Sequence, residues 1–111
     1  MRLPCRVAFV DTKKQSEFET LRNSDTSGRK LFAQLVAALE RIETNAFAGI
    51  QIPKRLIPDY YLRQHPLRNL WKYDLAGGSR LLYSVEHQDQ GVVAIVVEWL
   101  DHKEYERRFK Y

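Results

Sequence analysis

Two neighbouring stretches alternate apolar and polar residues, the pattern typical of half-buried β-strands. They are NLWKYDL (69–75) and SRLLYSVE (79–86), and one set of alternate positions in each is apolar. Gly77 and Gly78 lie between them, and glycine readily adopts the positive φ that a tight turn requires. The pattern therefore predicts a β-hairpin whose apolar face carries Trp71, Tyr73, Leu75, Leu81, Tyr83 and Val85.

The register of this hairpin follows from the rule that directly opposed residues share a face. We predict a three-residue loop over 76–78 with a bulge glycine. Asp74 then lies opposite Arg80, and Trp71 lies opposite Tyr83. All alternating apolar side chains fall on one face and Lys72 falls with the polar ones, whereas a shift of one residue would mix the two faces.

Hydrophobic patterns elsewhere predict the remaining elements. Residues 91–100, GVVAIVVEWL, are apolar on both faces, which is typical of a central strand that pairs on both edges. The short apolar run 6–10 predicts a first strand at a sheet edge. Ser16 and Glu19 have capping-box spacing and predict a short first helix, followed by a turn over 25–28.

The clearest helix is predicted over 29–44, where apolar residues recur at helical spacing. This stripe either packs on the sheet or forms a partner-binding surface. The C-terminal segment DHKEYERRFKY predicts a short helix capped by Asp101 with Glu104. Tyr105 and Phe109 are four residues apart and are expected to pack on the sheet.

Residues 46–68 show no clear periodicity and contain Pro53, Pro58 and Pro66, so they predict a loop with a turn of helix near 60–64. The loop either holds phosphates and stacks bases, or is solvated with its tyrosines against the sheet. Its cations and aromatic residues are Lys54, Arg55, Tyr60, Tyr61, Arg63, His65 and Arg68.

The composition indicates a globular α+β domain spanning residues 1–111, with 44% hydrophobic and 29% charged residues. No apolar run is long enough for a membrane span, and we identify no signal peptide. Cys5 is the single cysteine, so no internal disulfide can form, which fits a cytoplasmic protein. The net charge of +4 is compatible with RNA, DNA or an acidic protein as partner.

Most catalytic constellations are not supported. The three histidines are isolated and no cysteine pair could complete a zinc site, so we expect no metal or cofactor. The Gly77-Gly78 turn lacks the lysine of a phosphate-binding loop. Cys5 has no base nearby in sequence.

The remaining chemical groups suit metal-free RNA cleavage. This reaction needs proton transfer from the attacking 2′-hydroxyl and to the leaving 5′-oxygen, and stabilisation of negative charge at phosphorus. The candidate residues are Lys72, Arg80, His102, Lys103 and Tyr105. Structural alternatives are a pair between Arg80 and Asp74, and a capping or packing role for His102.

The element order, together with NLWKYDL, AGGS, RLLYSVE and VVEWLDHKEYERRF, resembles the RelE/ParE superfamily of type II toxin-antitoxin toxins, on the RelE side and including its archaeal-type members. The resemblance covers nearly the whole chain in element order, and its specific motif runs over 70–109, anchored by the R-[LV]-[LV]-Y element at 80–83. It implies a microbial-ribonuclease-like domain. The expected order is an N-terminal strand, two helices, a three-stranded antiparallel meander that completes a four-stranded sheet, and a short C-terminal helix.

The resemblance also implies cleavage of mRNA on the ribosome and neutralisation by a cognate antitoxin. By position, Arg80 matches an arginine that contacts the scissile phosphate, and Lys72 matches the first of two strand lysines. Asp74 stands where the second lysine would lie. His102 and Tyr105 are similar to C-terminal residues of HigB-like toxins. The expected catalytic set is Lys72, Arg80, His102 and Tyr105, and the expected RNA-binding set is Lys54, Arg55, Arg68, Lys103 and Tyr83.

Two alternatives to a ribonuclease stay open. One is a ParE-like toxin, which shares the fold but inhibits DNA gyrase. The other is a degenerate module that binds the antitoxin without catalysis, which the acidic Asp74 favours.

Overall fold

A computed structural model describes residues 3–110, which form a five-stranded sheet with helices on both faces. This confirms the α+β class. Short 3₁₀ turns lie at Ala46–Ala48, Lys54–Leu56 and Ala76–Gly78. The strands and helices are β1 Arg6–Phe9, α1 Thr12–Leu21, α2 Thr26–Thr44, β2 Ile50–Gln51, α3 Asp59–Gln64, β3 Trp71–Asp74, β4 Arg80–Gln88, β5 Gly91–Leu100 and α4 His102–Phe109.

The strand order is β1-β5-β4-β3-β2, with β1 parallel to β5 and the other pairs antiparallel. Strand β5 is paired on both sides and β1 lies at an edge, as predicted. The expected number of four strands is wrong, because β2 adds a fifth within the predicted loop. Ile50 pairs with Lys72, and the Ile52 N–H donates to the Leu70 carbonyl at 2.9 Å. A two-residue strand is too short to show period-two alternation.

The predicted hairpin register is confirmed. Asp74 pairs with Arg80 and Trp71 with Tyr83, and the two turn glycines have φ of 74° and 84°. The expectation of a polar second face is wrong at Ser84, which is completely buried. This face is covered by α3, α4 and the 52–70 segment, whose apolar side chains form a second core cluster with Leu82.

Helices α1 and α2 each begin at an aspartate. The Asp11 carboxylate accepts the backbone N–H three residues further on at 2.7 Å, so α1 begins before Ser16. The predicted capping box is therefore wrong, because Ser16 and Glu19 lie inside the helix. Asp25 accepts the Gly28 N–H at 2.8 Å, which makes the predicted 25–28 turn the first turn of α2.

The apolar stripe of α2 packs on the sheet. Leu35, Ala38 and Ile42 are buried in the first core cluster, which confirms the packing interpretation of the stripe. On the opposite face, Tyr105 and Phe109 of α4 are buried in the second cluster as predicted, and α3 contributes Tyr61. None of the helices within residues 3–110 has both the length and the apolar character needed to cross a bilayer.

Candidate active site

Three charged residues meet where β3 ends and β4 begins. Asp74 is the last residue of β3 and pairs with Arg80, the first residue of β4. Lys72 precedes Asp74 by two positions, and alternate residues of a strand point to the same face. Arg80 also pairs with Leu100 at the end of β5, so α4 begins directly beside this group. The register alone therefore brings Lys72, Asp74 and Arg80 to one face beside α4.

One carboxylate oxygen contacts both cations. Asp74 Oδ1 lies 2.9 Å from Arg80 Nε and 3.4 Å from Lys72 Nζ. The contact with Nε is an ion pair without hydrogen-bond alignment. Arg80 Nη1 donates to the carbonyls of Gly78 and Ser79, which holds the guanidinium against the turn. Two positive charges and one negative charge leave the group with a net positive charge.

The ring of Tyr105 lies against both cations. Its centroid is 5.0 Å from the Arg80 guanidinium carbon and 5.7 Å from Lys72 Nζ, within the range of cation–π attraction. Tyr105 is buried and stacks on Phe109 with ring centroids 4.5 Å apart. The structure thus brings three of the predicted site residues, Lys72, Arg80 and Tyr105, into one cluster.

His102 lies beside the 76–78 turn, at the first position of α4. A Cβ atom added to Gly78 would come within 3.0 Å of the His102 Cβ, so the two residues are in close contact. The His102 side chain is 56% exposed and its Nε2 lies 2.9 Å from Glu106 Oε1. Asp101 and Glu104 form the predicted capping box, which begins α4 at this point. The imidazole is therefore both accessible to solvent and held near the turn that precedes Arg80.

The exposed fractions of the side chains show which group a ligand meets first. The Asp74 side chain is 52% exposed, whereas those of Lys72 and Arg80 are 21% and 18% exposed. A phosphate approaching from solvent would compete with the Asp74 carboxylate for the same cations. Arginine and lysine bind phosphate through the same charge-assisted contacts that they make with carboxylates. The site can therefore bind an anion if Asp74 moves aside.

The expected RNA-binding cations lie in different places. Lys54 and Arg55 are exposed in the 3₁₀ turn after β2, at the sheet edge beside β3. Lys103 is exposed in the first turn of α4. Arg68 lines a groove of about 650 Å³ with Glu86, which is six residues beyond Arg80 in β4. That separation is roughly 20 Å along a strand, so Arg68 does not join the cluster around Arg80.

Tyr83 belongs to the core, and its expected place in an RNA-binding surface is wrong. It is completely buried, its hydroxyl donates to the Ala46 carbonyl at 2.9 Å and it accepts the Gly49 N–H at 2.9 Å. Burial raises the pKa of Tyr83 to about 12, although the hydrogen bond from Gly49 opposes this shift. Its position on the apolar face of the hairpin had already indicated burial, and the structural role follows from that.

The structure contains a second polar cluster that the sequence did not predict. Arg108 of α4 contacts Glu98 of β5 at 2.9 Å and the hydroxyl of Tyr61 of α3 at 3.3 Å. Its guanidinium carbon also lies 3.9 Å from the centroid of the Tyr60 ring. The one available signal was the polar Glu98 inside an otherwise apolar strand, since a charged residue in a central strand requires a partner.

Within residues 3–110, no three side chains of the histidine, cysteine, aspartate and glutamate types lie close enough together to hold a metal ion. No protein-family model, curated protein or solved structure matches the chain.

Proposed function

We propose that this protein is a RelE-like toxin that cleaves ribosome-bound mRNA without a metal ion. The observation that carries the proposal is that Lys72 and Arg80 both lie over the Tyr105 ring, with the exposed His102 beside the turn that precedes Arg80. Fixed cations beside a proton-transferring group are what attack of a 2′-hydroxyl on the adjacent phosphate requires.

In the proposed reaction, the 2′-oxygen loses its proton and bonds to phosphorus while the bond to the 5′-oxygen breaks. The products are a 2′,3′-cyclic phosphate and a free 5′-hydroxyl. Arg80 and Lys72 stabilise the additional negative charge on the phosphoryl oxygens. His102 or Tyr105 moves the protons, and the greater exposure of His102 favours it as the group that exchanges protons with the substrate.

The proposed partners follow from the same reasoning. A cognate antitoxin in the cytoplasm would cover the basic face and keep mRNA from the cations. The net charge of +4 supports an acidic or nucleic-acid partner. Lys54, Arg55 and Lys103 are exposed, and they are the cations we expect to hold the RNA backbone around the site.

One observation favours a second candidate, a module that binds an antitoxin and does not cleave RNA. Asp74 pairs with both Arg80 and Lys72 and so competes with a phosphate. The substitution Asp74→Asn separates the two candidates, because it removes the competing charge at nearly constant volume. Cleavage should increase if the site is active but partly neutralised by Asp74, whereas a pure binding module would stay inactive.

The test of the proposed function is induced expression followed by mapping of new 5′ ends in ribosome-associated mRNA. We expect ends in register with codons in the wild type, and loss of these ends in Arg80→Ala. Arg41→Ala is the matched control, since Arg41 is exposed on α2 on the other face of the sheet, and it should cleave like the wild type.

Other outcomes of this experiment would favour one of the two alternative functions. Growth arrest without RNA cleavage would contradict the ribonuclease proposal and favour a ParE-like inhibitor of gyrase. Neither arrest nor cleavage, in the wild type and in Asp74→Asn, would favour the binding module.

A further inference from the structure

Helix α4 supplies both His102 and Tyr105, and it is too short to be stable without packing against the rest of the domain. It has eight residues, and isolated helices of that length are unstable in water. Its buried side chains are Tyr105 and Phe109, which lie on one side of the helix. The position of the Tyr105 ring under Lys72 and Arg80 therefore depends on how α4 is docked onto the sheet.

A bulge in β5 directs the Glu98 side chain towards α4. Leu82 pairs with Glu98 but the next residue of β4, Tyr83, pairs with Val96, so Val97 is an extra residue on β5. A bulge of this kind lets two consecutive residues point to the same side of a sheet. Val97 is buried in the second core cluster, and Glu98 beside it meets Arg108. Without the bulge, strict alternation would send one of the two to the opposite face.

Arg108 links three elements at this point. Its Nη1 lies 2.9 Å from Glu98 Oε2 on β5 and 3.3 Å from the Tyr61 hydroxyl on α3. Its guanidinium also packs on the Tyr60 ring at 3.9 Å. The planar guanidinium can make all these contacts at once, which an ammonium group cannot reproduce.

Partial burial of both side chains strengthens the contact between Glu98 and Arg108. The side chain of Glu98 is 15% exposed and that of Arg108 is 28% exposed. Burial first, and then the hydrogen bond and charge of Glu98, raise the pKa of Tyr61, so its hydroxyl stays protonated. Removing Arg108 would leave a carboxylate largely buried without its cation, which is costly in a protein interior.

We propose that Arg108 is a positioning residue: by bridging Glu98 and Tyr61 it docks α4 and thereby holds the Tyr105 ring beneath Lys72 and Arg80. The consequence for RNA cleavage rests on the proposed function, whereas the positional claim does not. Arg108 acts through Tyr105 and is not itself expected to contact the substrate.

The experiment compares the full-length chain with Arg108→Gln and Arg107→Gln. Arg107 is exposed on the same helix, so its substitution makes the same change in charge without breaking the bridge. The Tyr105 N–H donates to the Asp101 carbonyl, and we measure its hydrogen exchange together with the NMR shift of the Tyr105 ring. In Arg108→Gln the exchange should accelerate roughly tenfold, as expected from loss of a hydrogen bond to a charged group, and the ring shift should move. The Leu82 amide in β4 should exchange as before.

The kinetic readout is multiple-turnover cleavage of ribosome-bound mRNA at several ribosome concentrations, which gives kcat and KM separately. Arg108→Gln should lower kcat roughly tenfold and leave KM unchanged, and Arg108→Lys should recover part of the loss because it keeps the ion pair with Glu98. A lower kcat that also appears in Arg107→Gln would overturn the positioning role, since it would reflect charge alone.

These measurements distinguish a failure of the positioning role of Arg108 from a failure of the proposed RNA cleavage. Unchanged exchange and an unchanged ring shift in Arg108→Gln overturn the positioning role whatever the enzyme does. Faster exchange with unchanged kcat in an active enzyme supports the docking of α4 by Arg108 but overturns its consequence for cleavage, because α4 would then be loosened without effect on the reaction. If the wild type cleaves no RNA, the proposed function fails, and the exchange rate and ring shift still decide whether Arg108 holds Tyr105 in place.

Discussion

Tyr83 gives the sharpest test of how this structure is held together. Its hydroxyl joins the centre of the sheet to the turn that leads into β2, donating to the Ala46 carbonyl and accepting the Gly49 N–H, both at 2.9 Å. Ala46 is fully buried and Gly49 is half-buried. The substitution Tyr83→Phe keeps the ring and leaves these two backbone groups without their partner.

The expected loss can be worked out from these contacts. A buried polar group that loses its hydrogen bond costs about 1–3 kcal/mol. The Ala46 carbonyl is expected to carry most of this cost, because water can reach the half-buried Gly49 N–H in part. We therefore expect Tyr83→Phe to lower the free energy of unfolding by about 2 kcal/mol. For a chain of this size, that loss shifts the urea midpoint by about 1–2 M.

Urea denaturation followed by tryptophan fluorescence measures this loss. Tyr73→Phe is the control, because Tyr73 packs against the same core cluster and, within residues 3–110, its hydroxyl does not hydrogen-bond to a buried backbone group as that of Tyr83 does. It should change the free energy of unfolding by less than about 0.5 kcal/mol. If Tyr83→Phe were no more destabilising than Tyr73→Phe, the hydroxyl would not be holding the turn, and the burial argument for Tyr83 would be refuted.

Two further predictions concern pH and the turn beside the site. The pKa of Tyr83 is about 12, above its ordinary value of about 10, so the stability it contributes is fully present below pH 10 and is lost as the pH rises towards 12. Urea unfolding between pH 9 and pH 12 should show a shallower loss of stability in Tyr83→Phe than in the wild type, and equal slopes would contradict this prediction. Gly78→Ala should lower the free energy of unfolding by more than the roughly 1–2 kcal/mol expected for Gly77→Ala. Both glycines have positive φ, but a Cβ on Gly78 would also meet His102, so equal melting temperatures of the two variants would contradict the contact.

The sequence determined the features that depend on local pattern. The alternation around Gly77 and Gly78 predicted the β3–β4 register, and the structure has Asp74 opposite Arg80 as expected. The apolar run of β5 predicted a central strand, and Asp101 with Glu104 predicted the start of α4. These features are set within a few residues of one another or by which face must be apolar, so the side-chain pattern alone specifies them.

Contacts between distant segments were decided only by the tertiary structure. Strand β2 forms because its backbone pairs with β3, and a two-residue segment is too short for a hydrophobic pattern to predict this pairing. The hydrogen-bond partners of the Tyr83 hydroxyl, Ala46 and Gly49, lie more than thirty residues away in the sequence, so only the folded chain brings them together.

The bridge of Arg108 to Glu98 and Tyr61 also required the tertiary structure. It depends on a bulge that alternation cannot reveal and on the docking of α3. The composition of the candidate site was therefore visible in the sequence, as Lys72, Arg80 and Tyr105, whereas what holds those groups in place was not. The physical reason is that local patterns record which side chains avoid water, and long-range packing decides which of them meet.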